Sequence, residues 1–317
     1  MRAALIFVIL LAAAHLLLPL ATLVEVGQRD PQLARLLLVE LRLPRVLLVL
    51  AYGAALGISG AALQAVFANP LASPDISGAS SGAALGAVLG GYWLGVSSPL
   101  ALSAFGAAGA VAALALLFAL AGKRSDSATL LLSGLAISLA LGAGTSFALA
   151  LAPSPFAFYD ALDWLMGSFV DRSLGQAFAA VIPATIACAL LIRRSRAYDQ
   201  LALGEDVASS LGMRPSRLAR ETLLLAAVAV GACVAVCGAI GFIGLAAPYL
   251  ARRLTRGLPG RALAPAGVIG AGLMALSDLV VRDLPLNRPL PVGVVTAIAG
   301  TPLLIWLIAS MRRGWKA

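Results

Sequence analysis

The residues that could do metal or proton chemistry are few, and their spacing argues against most of it. Cys233 and Cys237 stand one helical turn apart, but no further ligands accompany them, so they do not form a zinc pattern. With Cys188 they read as small packing residues in apolar runs. His15, the one histidine, lies in the first apolar run and reads as a packed or interfacial imidazole rather than a metal ligand. Asp278 is the one carboxylate clearly inside an apolar run. Ion-coupled carriers place Asp, Glu or His at mid-membrane depth; Asp278 sits close to the end of its run and reads as a hydrogen-bonded structural residue. No G-x-x-x-x-G-K-[ST] loop is present: "AGKRS" at Ala121 has Lys123, but Arg124 follows it, so ATP is not held by that route. H-E-x-x-H is absent too. No catalytic residue and no metal ligand is assigned.

One polar stretch does carry a design. In "ALGEDVASSLGM", Ala202 to Met213, Gly204 precedes Glu205 and Asp206, and Gly212 follows Leu211. Two acids at a helix start oppose the positive end of its dipole, and glycine suits its stop. Val207 and Leu211 are four apart and share a face, with Ala208 beside them. The expectation is a two-turn amphipathic helix with an apolar ridge and an acidic N-terminus. It is either an interfacial connector or a knob that docks into a groove on a partner.

The elements that must position this island are apolar. The 317 residues are 61% hydrophobic and 12% charged, with a mean hydropathy of +0.98. Continuous runs of about 20 apolar residues recur, each able to cross a hydrocarbon core roughly 30 Å thick. Their continuity excludes barrel strands. The expected class is an all-α polytopic membrane protein, a single domain over 1–317. Ten spans are expected near 3–23, 43–66, 77–95, 98–121, 128–151, 174–193, 218–237, 239–252, 263–281 and 290–310. The first is read as a retained helix rather than a cleaved signal. The eighth is too short to cross alone, as in transporters whose broken helices line a cavity.

The net charge of +9 sits in loops and speaks for orientation, not nucleic acid. With the N-terminus inside, Arg29, Arg35, Arg42, Arg45, Arg172, Arg282 and Arg288 fall outside. The other 16 of the 23 basic residues, including Lys123, Arg124 and Lys316, fall inside. Both termini are therefore expected in the cytoplasm, with the 194–217 loop beside them. "SGAALQAVFANP" (Ser59 to Pro70) and "CGAIGFIGLAAP" (Cys237 to Pro248) echo one another five spans apart, which predicts an inverted repeat. Small residues crowd "GAALGISGAA", "SSGAALGAVLGG", "LGAGTS" and "GVIGAG", for close helix packing or for lining a pore.

In order along the chain, "RLPR" (Arg42 to Arg45), "NPLASPDISGASSGAALGA" (Asn69 to Ala87), "WLMGSF" (Trp164 to Phe169) and "LALGEDVASSLGM" (Leu201 to Met213) are followed by "GFIGLAAPYLARRL" (Gly241 to Leu254) and "PVGVVTAIAGTPLLIWL" (Pro291 to Leu307). Together they resemble the iron-chelate and cobalamin permease family of ABC importers. Tyr249 stands where that family often has histidine. The resemblance implies ten spans per subunit and two permease subunits, identical or paralogous. It also implies two cytoplasmic ATPase subunits that bind ATP and magnesium, and a periplasmic binding protein; no cofactor is expected in this chain.

By the same resemblance, Gly204, Glu205, Asp206, Val207, Ala208, Leu211 and Gly212 form the coupling helix that sits in the ATPase. Ser127 and Ala128 stand at a cytoplasmic gate, with an N-cap at Asp126 or Ser127 as the simpler reading. Arg42, Arg45 and Arg282 receive acidic residues of the binding protein, with lipid-headgroup anchoring as the alternative. The expected function is import of an iron(III)-siderophore-type complex across the bacterial inner membrane, along an axis lined by spans five, eight and ten. Heme and cobalamin are alternative substrates. An ion-coupled carrier and a non-transporting scaffold are readings from other classes.

Overall fold

The computed structural model describes residues 2–18, 20–122, 126–152, 155–284 and 290–314. Lys123, Arg124, Arg288 and Lys316, used above for orientation, lie outside them. Among the described residues every regular element is helical. The first four helices are α1 (Arg2–Leu17), α2 (Leu20–Arg29), α3 (Pro31–Leu36) and α4 (Leu43–Val66). Next come α5 (Ala79–Val88), α6 (Pro99–Ala121), α7 (Ser127–Ala150), α8 (Pro155–Leu165) and α9 (Leu174–Arg193). The remainder are α10 (Ser195–Leu201), α11 (Glu205–Ser210), α12 (Pro215–Cys237), α13 (Ile243–Leu254), α14 (Pro259–Asp283) and α15 (Val292–Gly314).

Six stretches are long and apolar enough to cross a membrane: Pro31–Val66, α6, α7, α9, α12 and α14. Ala4–Leu17 and Val292–Pro302 are shorter apolar stretches. The expected first span is interrupted, because α1 ends at Leu17 and α2 begins at Leu20; the residue before Pro19 is pushed out of helical geometry. The second expected span is longer than its hydrophobic pattern suggested. Asp30 caps α3 by accepting from the Gln32 and Leu33 N–H groups, and a π-helical turn over Leu37–Arg42 joins α3 to α4. Pro44 has no N–H to give the preceding turn, and the wider turn absorbs that loss.

α4 is the centre of the bundle and packs against α14, α12, α9 and α13. Glycine makes the closest of these contacts possible. A Cβ on Gly57 would lie 2.1 Å from the Ala266 carbonyl oxygen, and one on Gly53 2.4 Å from that of Gly270. "GAALGISGAA" and "GVIGAG" are thus two faces of one α4–α14 seam. "SSGAALGAVLGG" packs likewise on α6, where Gly82 approaches the Gly109 carbonyl. "LGAGTS" is mixed: a Cβ on Gly142 would meet nothing within 4 Å, whereas one on Gly144 would lie 3.4 Å from Leu85 of α5.

Three irregular segments meet beside Tyr52, a fully buried residue of α4. Its hydroxyl donates to the Gly238 carbonyl and accepts from the Ile240 N–H, both at 3.1 Å. The Ser168 N–H donates to the Cys237 carbonyl, and the Val292 N–H to the Gly167 carbonyl. Non-helical backbone within an apolar bundle has to find its partners inside the protein, and these bonds supply them. Gly293 and Gly238 let the segments touch, since a Cβ on either would strike the Met166 or Trp164 carbonyl. The motifs "WLMGSF" and "PVGVVTAIAGTPLLIWL" therefore converge with the start of "CGAIGFIGLAAP" on one knot.

The expected eighth span is the half-length α13, entered after the break at 238–242. The two echoing segments differ in local structure. Ser59–Val66 is continuous helix with Pro70 in the following turn, whereas Cys237 ends α12 and Pro248 lies inside α13.

Candidate functional site

The α10–α11 loop stands at the Val66 end of α4. α11 begins at Glu205, after Gly204 at φ 106°, and Gly212 follows it at φ 83°. Both glycines occupy the left-handed region that side chains disfavour. The Gly212 N–H reaches the Ser209 carbonyl and the Met213 N–H the Ala208 carbonyl. This is the paired closure that ends a helix at glycine.

α11 has six residues, shorter than the two turns expected. Its ridge faces out, with Val207 47% and Leu211 59% exposed. Ala208 is separated from that ridge: it is fully buried against the bundle. Of the residues assigned to a docking face, Ala208 instead seats the helix, because neighbours on a helix point about 100° apart.

The mount beneath α11 is polar and bonded to two helices, α12 and α14. Tyr198 of α10 shares a buried hydrogen bond of 2.9 Å with Thr222 of α12. Burial pushes its phenol up to about 12, so it acts as a neutral hydroxyl. Asp199 accepts the Gly260 N–H of α14 at 2.8 Å, filling one orphan donor at that helix start. Glu221 of α12 takes Arg194 and Arg217 at 2.9 Å each. These bonds tie α10, the helix just before α11, to α12 and α14. Tyr198, Thr222 and Asp199 carry no short-range signal in the sequence, since their partners stand 24 or 61 residues away; Glu221 was legible through its i,i+4 spacing from Arg217.

The two gate candidates open α7. Asp126 is the cap, accepting the Thr129 N–H at 2.9 Å. Hydrogen bonds from Thr129, side chain first and backbone second, hold its carboxyl below the usual range. Ser127 is left free for another role. Its hydroxyl donates to Glu205 Oε1 at 3.1 Å, which ties the first turn of α7 to the tip of α11. Ala128 is exposed beside it. The expected pathway spans differ from one another. α7 and the start of α15 expose Leu139, Phe147 and Ile298, whereas half of α13 is buried within this chain.

The three arginines lie at the opposite end of α4, about 36 Å away at 1.5 Å per residue. They are half-buried, and each has acceptors inside the chain. Arg45 grips Asp278 with two parallel bonds, Nε to Oδ2 at 2.8 Å and Nη2 to Oδ1 at 2.9 Å. His15 Nε2 meets the same Oδ2 at 3.0 Å, and its Nδ1 meets the Leu11 carbonyl at 2.9 Å. Arg42 donates to the Leu16 carbonyl at 2.7 Å, and Arg282 donates to the His15 and Leu18 carbonyls. Helix C-termini leave such carbonyls unpaired and favour cations. The cluster thus fastens α1 to α4 and α14. Asp278 and His15 have the packed, hydrogen-bonded roles expected of them. Among the described residues no group of three or more His, Cys, Asp or Glu side chains is placed to hold a metal ion.

Residues 2–310 match the FecCD transport family. The Fe(3+) dicitrate transport system permease protein FecD of Escherichia coli K12 is 38% identical over 275 residues, 87% of this chain and 86% of that protein. The vitamin B12 import system permease protein BtuC of Vibrio cholerae is 36% identical over 278 residues, 85% of this chain and 81% of that one. A solved structure, described as the inward-facing conformation of a metal-chelate type ABC transporter, superposes with a TM-score of 0.84 at 29% identity. It covers 98% of this chain and 100% of its own.

Proposed function

The chain belongs to the FecCD transport family, and from that membership we propose that it is the transmembrane permease subunit of an ATP-driven importer carrying an iron(III)-siderophore-type complex from periplasm to cytoplasm. The observation that carries the reading is the α10–α11 loop. A six-residue helix presents exposed Val207 and Leu211 at one end of an apolar bundle, on a mount bonded to α12 and α14. That is the geometry of a lever meant to be pushed by a partner. The partners are two cytoplasmic ATPase subunits, a second permease subunit, identical or paralogous, and a periplasmic binding protein. In this reading the chain is a multi-pass protein of the bacterial inner membrane, with ten spans in an inverted repeat and both termini cytoplasmic. Substrate passes between the exposed faces of α7 and α15 and their counterparts on the second permease. Ser127 and Ala128 narrow the exit.

Cobalamin is the second reading, favoured by the similarity to the B12 permease of Vibrio cholerae. Reconstitution in vesicles with candidate ATPase and binding-protein partners tests both. ATP-dependent accumulation of a labelled iron(III) chelate, and not of labelled cobalamin, is expected. Uptake driven by an ion gradient without any ATPase would overturn the importer reading.

A further inference from the structure

A cavity adjoins the loop beside Glu205. Its volume is about 360 Å³, and its walls include Gln64, Ala202, Gly204, Glu205, Arg252 and Gly257. These come from the last turn of α4, the α10–α11 loop, the last turn of α13 and the turn into α14. Two of the wall residues carry buried polar atoms with no protein partner: Gln64 Nε2 and Arg252 Nε. Gln64 is only 2% exposed. An unpaired buried donor is costly, more so on a charged group, and such atoms in a folded protein call for a cause.

Both orphans donate, and one belongs to a guanidinium that cannot shed its charge. Arg253, Arg256 and Arg261 stand within nine residues of Arg252, so the surrounding loop is basic. The one acid on the wall, Glu205, has Oε1 engaged by the Ser127 hydroxyl. Glu205 and Arg252 balance one another on the wall and the arginines close by in sequence tip the surroundings positive; a group with two or more acceptor oxygens and a negative charge would offer both donors a partner.

We propose that this cavity is an oxyanion site for a carboxylate or phosphate group entering from the α11 end. Arg252 supplies the charge and Gln64 the second donor. If the proposed function holds, the group is an acidic side chain of the ATPase subunit, held in a cavity whose wall includes Glu205 of α11. The anion chemistry itself does not depend on that reading.

The test uses the full chain purified in nanodiscs, with inorganic phosphate as the probe and chloride at matched ionic strength as the control. Phosphate should raise the thermal midpoint saturably, as any ligand of the native state does. Arg252→Gln should weaken phosphate binding by about tenfold or more, as loss of a charged hydrogen bond implies. Arg252→Lys should restore part of it. Gln64→Leu, which leaves every charge in place, should also weaken it. Association with the ATPase subunit is measured in parallel. A loss in Arg252→Gln identifies the oxyanion as the partner's side chain; phosphate binding with unchanged association identifies a free anion. Identical behaviour of wild type in phosphate and chloride, with unchanged ATPase association by Arg252→Gln, overturns the site. Failure of the wild type to associate with any ATPase sinks the functional reading and leaves the phosphate result to decide the cavity.

Discussion

Replacing Arg45 with Met removes two charge-assisted hydrogen bonds from Asp278, whose side chain is 0% exposed. The carboxylate is then left with His15 Nε2 as its remaining side-chain partner. Breaking a buried ion pair from one side costs about 3–5 kcal/mol, because the remaining charge is stranded away from water. The reverse change, Asp278→Asn, should cost less, about 1–3 kcal/mol. Arg45 is 20% exposed, so its guanidinium can turn toward solvent along its apolar stem. Replacing both, Arg45→Met with Asp278→Leu, removes the stranded charge along with its partner. The double variant should therefore be more stable than Arg45→Met alone by about 2 kcal/mol, a non-additivity expected of residues in direct contact. Equilibrium unfolding of the purified permease in mixed micelles, followed by tryptophan fluorescence, reads the cycle formed by wild type, Arg45→Met, Asp278→Leu and the double variant. Strictly additive single changes, or an Arg45→Met variant as stable as wild type, would refute the argument. The double variant has a second use. It removes the Arg45 charge without stranding the Asp278 carboxylate, while His15 Nε2 loses its partner, so weakened docking of a binding protein is assigned to the Arg45 charge where Asp278→Leu alone docks normally.

Glu205→Lys places a cation at the positive end of α11 and removes the acceptor of the Ser127 hydroxyl; the helix itself loses about 0.3–1 kcal/mol. The protein should insert normally but neither bind nor stimulate its ATPase, and wild-type stimulation of ATP hydrolysis by the purified variant would contradict the coupling assignment. Gly57→Ala should destabilise by about 1–3 kcal/mol, since its Cβ would sit 2.1 Å from the Ala266 carbonyl and force α4 and α14 apart. Gly142→Ala, with nothing within 4 Å, should be neutral or slightly stabilising in the same unfolding assay; equal effects at the two positions would show that the seam is not as tight as described.

The sequence by itself determined whatever is written within a few consecutive residues. Continuous apolar runs set the class, and α9 begins and ends where its run does. Gly204 and Gly212 bracket α11 because a positive φ is a local demand that glycine meets. Asp126 was legible as a cap for the same reason: its acceptor serves an N–H three residues on. The tertiary structure decided everything that depends on how helices are rotated against one another. Which small residues form buried seams, and that Gly142 of "LGAGTS" does not, follows from which helix lies alongside. Ala208 was legible as helical but not as inward-facing. The arginines at 42, 45 and 282 carried no sign of their acceptors, because Arg45 meets Asp278 across 233 residues and Arg282 meets the α1 carbonyls across more than 260. Polar pairing at that separation leaves no period or spacing in the chain. It exists only once apolar packing and close glycine contacts have fixed the depth and rotation of each helix, so that one carboxylate, one imidazole and three guanidinium groups come to the same end of the bundle.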